Sequence, residues 1–284
     1  MLDIRLYDSG DEVAWCPGCY NFAILKAVKQ ALASLDLQPH QVMFVSGIGQ
    51  AAKLPHYLKC NLFNGLHGRT LPAATGIKLA NHALRVIAEG GDGDGYAEGG
   101  NHFVHAMRRN PGVTYLVHDN QIYGLTKGQT SPTSEGGFVT ATTPFGNFNF
   151  PEHPLAVAVA CDCSFVARGF AGAGDHLAEL IAQAIAHPGF ALVDILQPCV
   201  TFNKVNTYQW YKQRVYQLDR SYDPRDRNAA FAKAMEWGER IPTGIIYQND
   251  RPPLESLLPQ LKQKPLVAQD IGASAREDLI IGFR

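Results

Sequence analysis

This chain of 284 residues is 46% hydrophobic and 18% charged, a composition that supports a large core without help from disulfides. Its formal charge of −1 gives no net attraction to nucleic acid or to an anionic membrane surface. No apolar run reaches the roughly 20 residues of a spanning helix, and the N-terminal residues lack the pattern of a signal peptide. We therefore expect a cytoplasmic protein with no nucleic-acid or membrane partner.

Hydrophobic periodicity predicts helices and strands that alternate along the chain. Apolar residues recur at helical spacing from Phe22 to Leu35, directly after the turn-forming Pro17 and Gly18. The spacing predicts further helices at 73–88, 99–109 and 175–187, and doubly buried strands at 42–47, 113–119, 155–161 and 190–196. This alternation favours an α/β fold with a mainly parallel sheet and helices on both faces, whose ligands bind at the carboxyl ends of the strands.

The composition changes after about residue 203. A polar, aromatic-rich stretch leads to a predicted helix at 227–238 and a short predicted strand at 244–249. We interpret residues 1–215 as the main domain and residues 216–284 as a C-terminal extension that packs on this domain or on a partner.

Glycine is most concentrated at residues 90–95, G-G-D-G-D-G. Glycines let the backbone approach a phosphate closely, and a following helix offers free N–H groups to it. Glu98 stands where a dinucleotide fingerprint needs its third glycine, and no G-K-[ST] of a P-loop is present. Asp92 is instead followed by Asn120 after 28 residues. A carboxylate and an amide from neighbouring strand ends suit the oxygen shell of Mg²⁺, although a plain loop remains the alternative.

The G-D-G turn with its distant asparagine resembles the thiamine-diphosphate-binding motif. Six segments together resemble, in the same order, the beta subunits of 2-oxoacid:ferredoxin oxidoreductases; they span residues 15–27, 46–58, 66–80, 90–110, 119–133 and 198–214. The resemblance implies a thiamine-diphosphate-binding fold and an enzyme that oxidatively decarboxylates 2-oxo acids to acyl-CoA and CO₂, passing electrons to ferredoxin. The short separate chain and its T-K-G-Q loop favour 2-oxoglutarate over pyruvate or a broad set of 2-oxo acids.

The resemblance also implies roles for individual residues. Mg²⁺ would be held by Asp92, Asn120 and the backbone carbonyl of Ile122. The residues expected to line the diphosphate are Gly49, His67, Gly93, Asp94, Gly124 and Leu125. Lys127 is expected near the substrate, where its ammonium would pair with the carboxylate of the 2-oxo acid, although a solvated loop lysine is the alternative.

A [4Fe-4S] cluster is the third expected cofactor, beside thiamine diphosphate and Mg²⁺. Cys16, Cys19 and Cys199 match three ligand positions of the family, but Gln50 stands at the fourth, where an amide would be a poor ligand. Cys60 is our predicted replacement. The alternative is that Cys60 is a buried thiol and that the cluster is absent or bound by three cysteines.

The other candidate metal ligands have plainer interpretations. Cys161 and Cys163 are predicted to be buried thiols on one side of a strand. His102 and His105 lie three residues apart on a predicted helix, where a surface or packing role is expected.

A partner chain is expected because thiamine enzymes need a glutamate to activate the aminopyrimidine, and this chain carries only a diphosphate-type domain. The resemblance implies an alpha subunit in a heterodimer or a dimer of heterodimers, with ferredoxin, the 2-oxo acid and coenzyme A as further partners. Two alternatives remain. A non-oxidative thiamine decarboxylase or synthase would share Asp92 and Asn120 without needing C-P-G-C, and a non-catalytic scaffold would use the cysteines for zinc.

Overall fold

An eight-stranded sheet forms the centre of the molecule in this computed structural model, which describes residues 2–269 and residue 281. The strands are β1 (Val42–Ser46), β2 (Asn61–Asn64), β3 (Arg85–Gly91), β4 (Val113–Asp119), β5 (Ile122–Tyr123), β6 (Gln129–Thr130), β7 (Phe165–Phe170), β8 (Ala191–Leu196), β9 (Val215–Gln217) and β10 (Ile241–Gln248). The sheet order is β2-β1-β3-β4-β8-β7-β10-β9, and β5 pairs separately with β6. The first six strands in this order are parallel, which confirms the predicted fold class.

Helices cover both faces of the sheet. They are α1 (Asn21–Ser34), α2 (Thr70–Ala80), α3 (Gly100–Arg109), α4 (Pro154–Ala160), α5 (Gly174–Ala186), α6 (Tyr208–Lys212), α7 (Arg227–Met235) and α8 (Leu254–Leu257). One apolar core lies between the sheet and the α1–α5 pair, and a second lies between the sheet and α2, α3, α4 and α7. None of the described helices is long and apolar enough to cross a membrane.

Two predicted elements are wrong. Residues 155–160 belong to helix α4 and Cys161 is its C-cap, because Pro154 suits a helix start and a short Ala/Val run has no periodicity that separates strand from helix. Cys161 therefore ends a helix and is only half-buried, whereas Cys163 is fully buried and its thiol faces the carbonyls of Phe165 and Phe190. The helix predicted at 73–88 ends at residue 80, and strand β3 begins at residue 85.

The C-terminal region completes the sheet. Strand β10 pairs antiparallel with β7, and the short β9 adds a further edge beside β10. Because β7 belongs to the predicted main domain and β10 to the predicted extension, the two regions share one sheet. The boundary at residue 215 stays a prediction.

Candidate functional site

A pocket opens at the carboxyl ends of β1, β3 and β4. Its lining is Ile48, Gly49, Gln50, Ala51, His67, Gly91, Asp92, Gly93, Asp94, Asn120, Ile122, Tyr123, Gly124, Leu125 and Thr126. All nine residues predicted for the magnesium and diphosphate sites are among them. The parallel topology explains this convergence, since loops that follow neighbouring strands meet at the same edge of the sheet.

Asp92 is the only carboxylate among the three predicted magnesium ligands, and it is 1% exposed. Its Oδ2 accepts hydrogen bonds from the hydroxyls of Ser131 and Thr133. Burial raises the pKa of Asp92 to about 6, although these two hydroxyls lower it. The carboxylate therefore gains from a nearby cation at neutral pH.

The donor set at this position fits magnesium by its chemistry. Asp92, Asn120 and Ile122 offer a carboxylate, an amide oxygen and a backbone carbonyl, which are hard oxygen donors. In the described part of the chain, no group of three or more His, Cys, Asp or Glu side chains is arranged to hold a metal ion. The three predicted ligands alone leave the octahedral shell of magnesium incomplete, so an ion here would need further oxygen ligands, such as those of a diphosphate.

Asp94 ties together three segments of the pocket. Its Oδ1 accepts the N–H groups of Ile48 at 3.0 Å and Gly68 at 2.8 Å, and its Oδ2 accepts the hydroxyl of Thr70 at 3.2 Å. The close approach requires glycine at residue 47, where a Cβ would lie 2.2 Å from the Asp94 carboxylate. Sequence reasoning placed Asp94 at the pocket but missed this organising role.

His67 lies beside two carboxylates at the pocket wall. Its Nδ1 is 3.3 Å from Asp94 Oδ1 and 3.4 Å from Glu98 Oε2. Tyr123 donates its hydroxyl to Glu98 at 3.0 Å and packs its ring near the imidazole. Glu98 and Tyr123 were not predicted as site residues. The ring contact and the two carboxylates restrain the imidazole at the edge of the pocket.

Ser131 and Thr133 were also missed, although their S-P-T segment contributed to the family resemblance. Thr133 donates a hydrogen bond to Asp92 and lies 2.8 Å from Asp119, so it connects two buried carboxylates. Only the structure reveals this link, because 41 residues separate Thr133 from Asp92.

Lys127 is exposed in the loop between β5 and β6, next to the pocket residue Thr126. Its backbone has φ of +75°, a left-handed conformation that is strained for a residue with a side chain. Its N–H donates to the carbonyl of Gly124 at 3.3 Å, which closes a turn within this loop. Lys127 is therefore an exposed residue of a turn that adjoins the pocket.

A second pocket adjoins the first and contains three of the predicted cluster ligands. It is lined by Trp15, Cys16, Cys19, Asn21, Gln50, Asn120, Gly124, Gln197, Cys199, Val200, Thr201 and Phe202. Gln50, Asn120 and Gly124 line both pockets. Burial, with a smaller contribution from the nearby thiols of Cys199 and Cys16, raises the pKa of Cys19 to about 11. The three cysteines therefore line one pocket, which adjoins the first.

Cys60 does not lie in this pocket. It directly precedes β2, which is parallel to β1 with Asn61 beside Met43, so Cys60 lies at the amino ends of the strands. Gln50 follows the carboxyl end of β1. Burial raises the pKa of the Cys60 thiol to about 12, and its side chain packs against the apolar core around Tyr7. The geometry therefore favours the buried-thiol alternative for Cys60.

Two family models match consecutive parts of the chain. Residues 40–195 match the C-terminal TPP binding domain of thiamine pyrophosphate enzymes, and residues 199–263 match the C-terminal region of the pyruvate ferredoxin oxidoreductase beta chain. The chain is 48% identical over 249 residues to the 2-oxoacid:ferredoxin oxidoreductase subunit beta of Saccharolobus solfataricus, covering 83% of this chain and 82% of that one. The chain belongs to the family of 2-oxoacid:ferredoxin oxidoreductase beta subunits. The predicted family and enzyme class are thereby confirmed, and neither the non-oxidative nor the scaffold alternative is favoured.

Other relatives of this beta subunit are more specific in name. The 2-oxoglutarate oxidoreductase subunit KorB of Mycobacterium tuberculosis is 45% identical over 197 residues, which is 69% of this chain and 53% of that one. A solved structure of 2-oxoglutarate:ferredoxin oxidoreductase from Magnetococcus marinus, with 2-oxoglutarate, coenzyme A and succinyl-CoA bound, matches with a TM-score of 0.92 and 36% identity. The match covers 99% of this chain and 96% of that one. A beta subunit of this family implies an alpha subunit as partner.

Proposed function

We propose that this beta subunit binds thiamine diphosphate and Mg²⁺ and, with an alpha subunit, oxidatively decarboxylates a 2-oxo acid to acyl-CoA and CO₂. The electrons pass through an iron–sulfur cluster to ferredoxin. One observation carries the proposal: the pocket that contains all nine predicted cofactor residues shares a wall with the pocket that contains three cysteines.

Asp92, Asn120 and the carbonyl of Ile122 would hold Mg²⁺ between the protein and the diphosphate. Thiamine diphosphate, when bound, supplies the nucleophile for the ketone of the 2-oxo acid and the electron sink for loss of CO₂. Asp92 would bind the cation as its carboxylate, which is largely ionised at neutral pH because burial raises its pKa only to about 6. Ser131 and Thr133 then orient the carboxylate through their hydroxyls.

His67 and the glycines would contact the diphosphate. An imidazole can donate a hydrogen bond to a phosphate oxygen, and Nδ1 of His67 lies 3.3 Å from Asp94 and 3.4 Å from Glu98 at the pocket wall. At Gly93 a Cβ would lie 2.3 Å from the ring of Tyr123, so only glycine fits at this part of the wall.

Lys127 would attract the substrate. Lys127 directly follows Thr126, which lines the pocket of the predicted cofactor residues. Its exposed ammonium could pair there with a carboxylate of the incoming 2-oxo acid. The left-handed backbone of Lys127 supports this role, because strained conformations concentrate at functional sites.

The cysteine pocket would hold the cluster through Cys16, Cys19 and Cys199, and such a cluster supplies one-electron transfer. Burial that raises the pKa of Cys19 disfavours its free thiolate, so iron would have to stabilise the thiolate directly. The Cys60 ligand predicted from the sequence would require Cys60 to move from the opposite end of β1.

The substrate we propose is 2-oxoglutarate, with coenzyme A as acyl acceptor. The support is the solved relative named as binding 2-oxoglutarate, coenzyme A and succinyl-CoA, together with the KorB relatives named for 2-oxoglutarate. The assembly we propose is a heterodimer or a dimer of heterodimers with the alpha subunit.

The test uses the complex of this chain with its alpha subunit. Asp92→Ala should abolish Mg²⁺-dependent binding of thiamine diphosphate while the circular dichroism spectrum stays that of the wild type, because it removes the one charged ligand. Asp11→Ala, an exposed loop carboxylate, is the matched control and should bind the cofactor normally. Stoichiometric thiamine diphosphate in the Asp92 variant would refute the site. Steady-state kcat/KM on a panel of 2-oxo acids with ferredoxin tests the substrate, and a higher value for pyruvate would refute 2-oxoglutarate.

A further inference from the structure

We infer that the cluster of this beta subunit is held by only three cysteines, Cys16, Cys19 and Cys199, and that its fourth iron faces Gln50 without a thiolate. The inference rests on the proposed function, because it presupposes that the cysteine pocket binds a cluster. It adds a chemical property to that cluster: one iron is exchangeable.

The strand register excludes Cys60 as the fourth ligand. Because Asn61 pairs with Met43, Cys60 is level with Val42 at the start of β1, whereas Gln50 lies beyond Ser46 at its end. At about 3.3 Å per residue, the strand alone separates the two levels by roughly 13 Å. A ligand thiolate has to contact iron directly, so Cys60 cannot reach the pocket in this fold.

Helix α1 leads to the same conclusion independently. Cys19 lies just before the start of α1, and Leu37 follows its end; at about 1.5 Å per residue, the 14 residues of α1 span about 21 Å. Tyr7 donates its hydroxyl to the carbonyl of Leu37, and the Tyr7 carbonyl accepts the N–H of Lys59. These two hydrogen bonds place Cys60, which follows Lys59, on the side of the C-terminal end of α1, whereas Cys19 precedes its N-terminal end.

The two remaining cysteines are also at the wrong end of the sheet. Cys161 ends α4, and Cys163 lies two residues before the start of β7. Because β7 is parallel to β8 and the strands beyond it, both thiols lie at the amino ends. The chain has six cysteines, so no further thiol is available to the pocket from this chain.

The described residues that line the cysteine pocket offer no substitute charged ligand. They include no Asp, Glu or His, and the polar side chains are those of Asn21, Gln50, Asn120, Gln197 and Thr201. The Oε1 atom of Gln50 is buried and has no hydrogen-bond partner among the described residues. Amide oxygen is a hard donor that binds cluster iron weakly, so the fourth iron carries an exchangeable ligand such as water.

An iron without a thiolate is the one lost on oxidation. With ferricyanide as the one-electron acceptor, the balanced step is [4Fe-4S]²⁺ → [3Fe-4S]⁺ + Fe²⁺ + e⁻, and the three Fe–S(Cys) bonds remain. Added Fe²⁺ and a reductant reverse it. The cluster of this chain therefore interconverts between four-iron and three-iron forms.

The experiment follows the iron content and electron paramagnetic resonance spectrum of the anaerobically purified complex during titration with ferricyanide. The wild type should lose about one iron in four and develop the signal of a three-iron cluster, and Fe²⁺ with dithionite should restore it. Gln50→Cys supplies the missing thiolate and should retain all its iron under the same oxidant. Gln50→Ala, which offers no ligand, should behave like the wild type, as should Cys60→Ser.

Each other outcome overturns the inference in a distinguishable way. If the wild-type cluster keeps its iron as firmly as the Gln50→Cys variant, it has a fourth strong ligand. If the Cys60→Ser variant then loses iron where the wild type does not, that ligand is Cys60. A complex without iron or sulfide would overturn the proposed cluster itself. If Gln50→Cys fails to fold, a Gln50→Ala cluster that loses no iron still refutes an open fourth position.

Discussion

Replacing Asp94 by alanine should destabilise the protein and disorganise the cofactor pocket, which is the pocket at the carboxyl ends of β1, β3 and β4. Asp94 is 3% exposed, and its carboxylate accepts hydrogen bonds from two backbone N–H groups and one hydroxyl. The donors belong to Ile48, Gly68 and Thr70, which lie on two separate loops of the cofactor pocket and at the start of α2. Alanine would leave all three donors without their acceptor.

The expected magnitude follows from the burial of these donors. A buried donor left without its partner costs about 1 to 3 kcal/mol, and the bonds from Gly68 and Thr70 are both buried. Burial raises the pKa of Asp94, so removing the carboxylate also relieves an unfavourable buried charge. We expect Asp94→Ala to lower the free energy of unfolding by about 2 to 4 kcal/mol. Asp94→Asn keeps an acceptor oxygen for Ile48 and Gly68, so its loss should be about 1 kcal/mol or less.

Two measurements check this prediction. Urea denaturation followed by tryptophan fluorescence gives the free energies of unfolding, and calorimetric titration with thiamine diphosphate and Mg²⁺ gives the Kd. Asp94→Ala should weaken cofactor binding strongly, and Asp94→Asn only slightly. If the alanine variant unfolded and bound the cofactor as the wild type does, or if asparagine were as damaging as alanine, the organising role of the acceptor oxygens would be refuted.

Three further predictions concern other charged groups. The Oε1 atom of buried Glu89 lies 2.8 Å from Nε2 of buried His118, so truncating Glu89 to alanine takes a polar neighbour from a buried ring nitrogen and should lower the free energy of unfolding by about 1 to 3 kcal/mol; denaturation that matches the wild type would contradict this. Burial raises the pKa of Asp194 from 3.8 to about 7. Between about pH 4 and 7 the folded state keeps a proton that the unfolded state has lost, so the free energy of unfolding should fall over this range by up to about 4 kcal/mol. Urea titrations from pH 4 to 8 should give a flatter profile for Asp194→Asn, and an unchanged profile would refute the assignment. Lys127→Ala should raise the KM for the 2-oxo acid while the Kd for thiamine diphosphate stays constant; a change confined to that Kd would instead assign Lys127 to the diphosphate.

The sequence by itself determined the fold class and the family, and it led to predicted cofactor residues that the structure brings together in one pocket. Helical periodicity identified α1, α3 and α5, and continuous apolar runs identified β1, β4 and β8, because burial on one face or on two leaves a local pattern. Asp92 and Asn120 were recognisable from type and spacing, since parallel strands bring the residues that follow them to one edge. The short apolar run of α4 was mistaken for a strand because burial alone does not specify its conformation.

Only the tertiary structure decided which distant side chains meet. The hydroxyls of Ser131 and Thr133 on Asp92, and the hydrogen bond from Gly68 to Asp94, join segments that no local pattern connects. The same holds for Cys60, which is near Gln50 in sequence but lies at the opposite end of β1, because β2 starts again from the amino edge of the sheet. Residues that are close in sequence can lie far apart in space once the chain has returned to the other end of the sheet. Strand register then determines which of them can bind the same ligand.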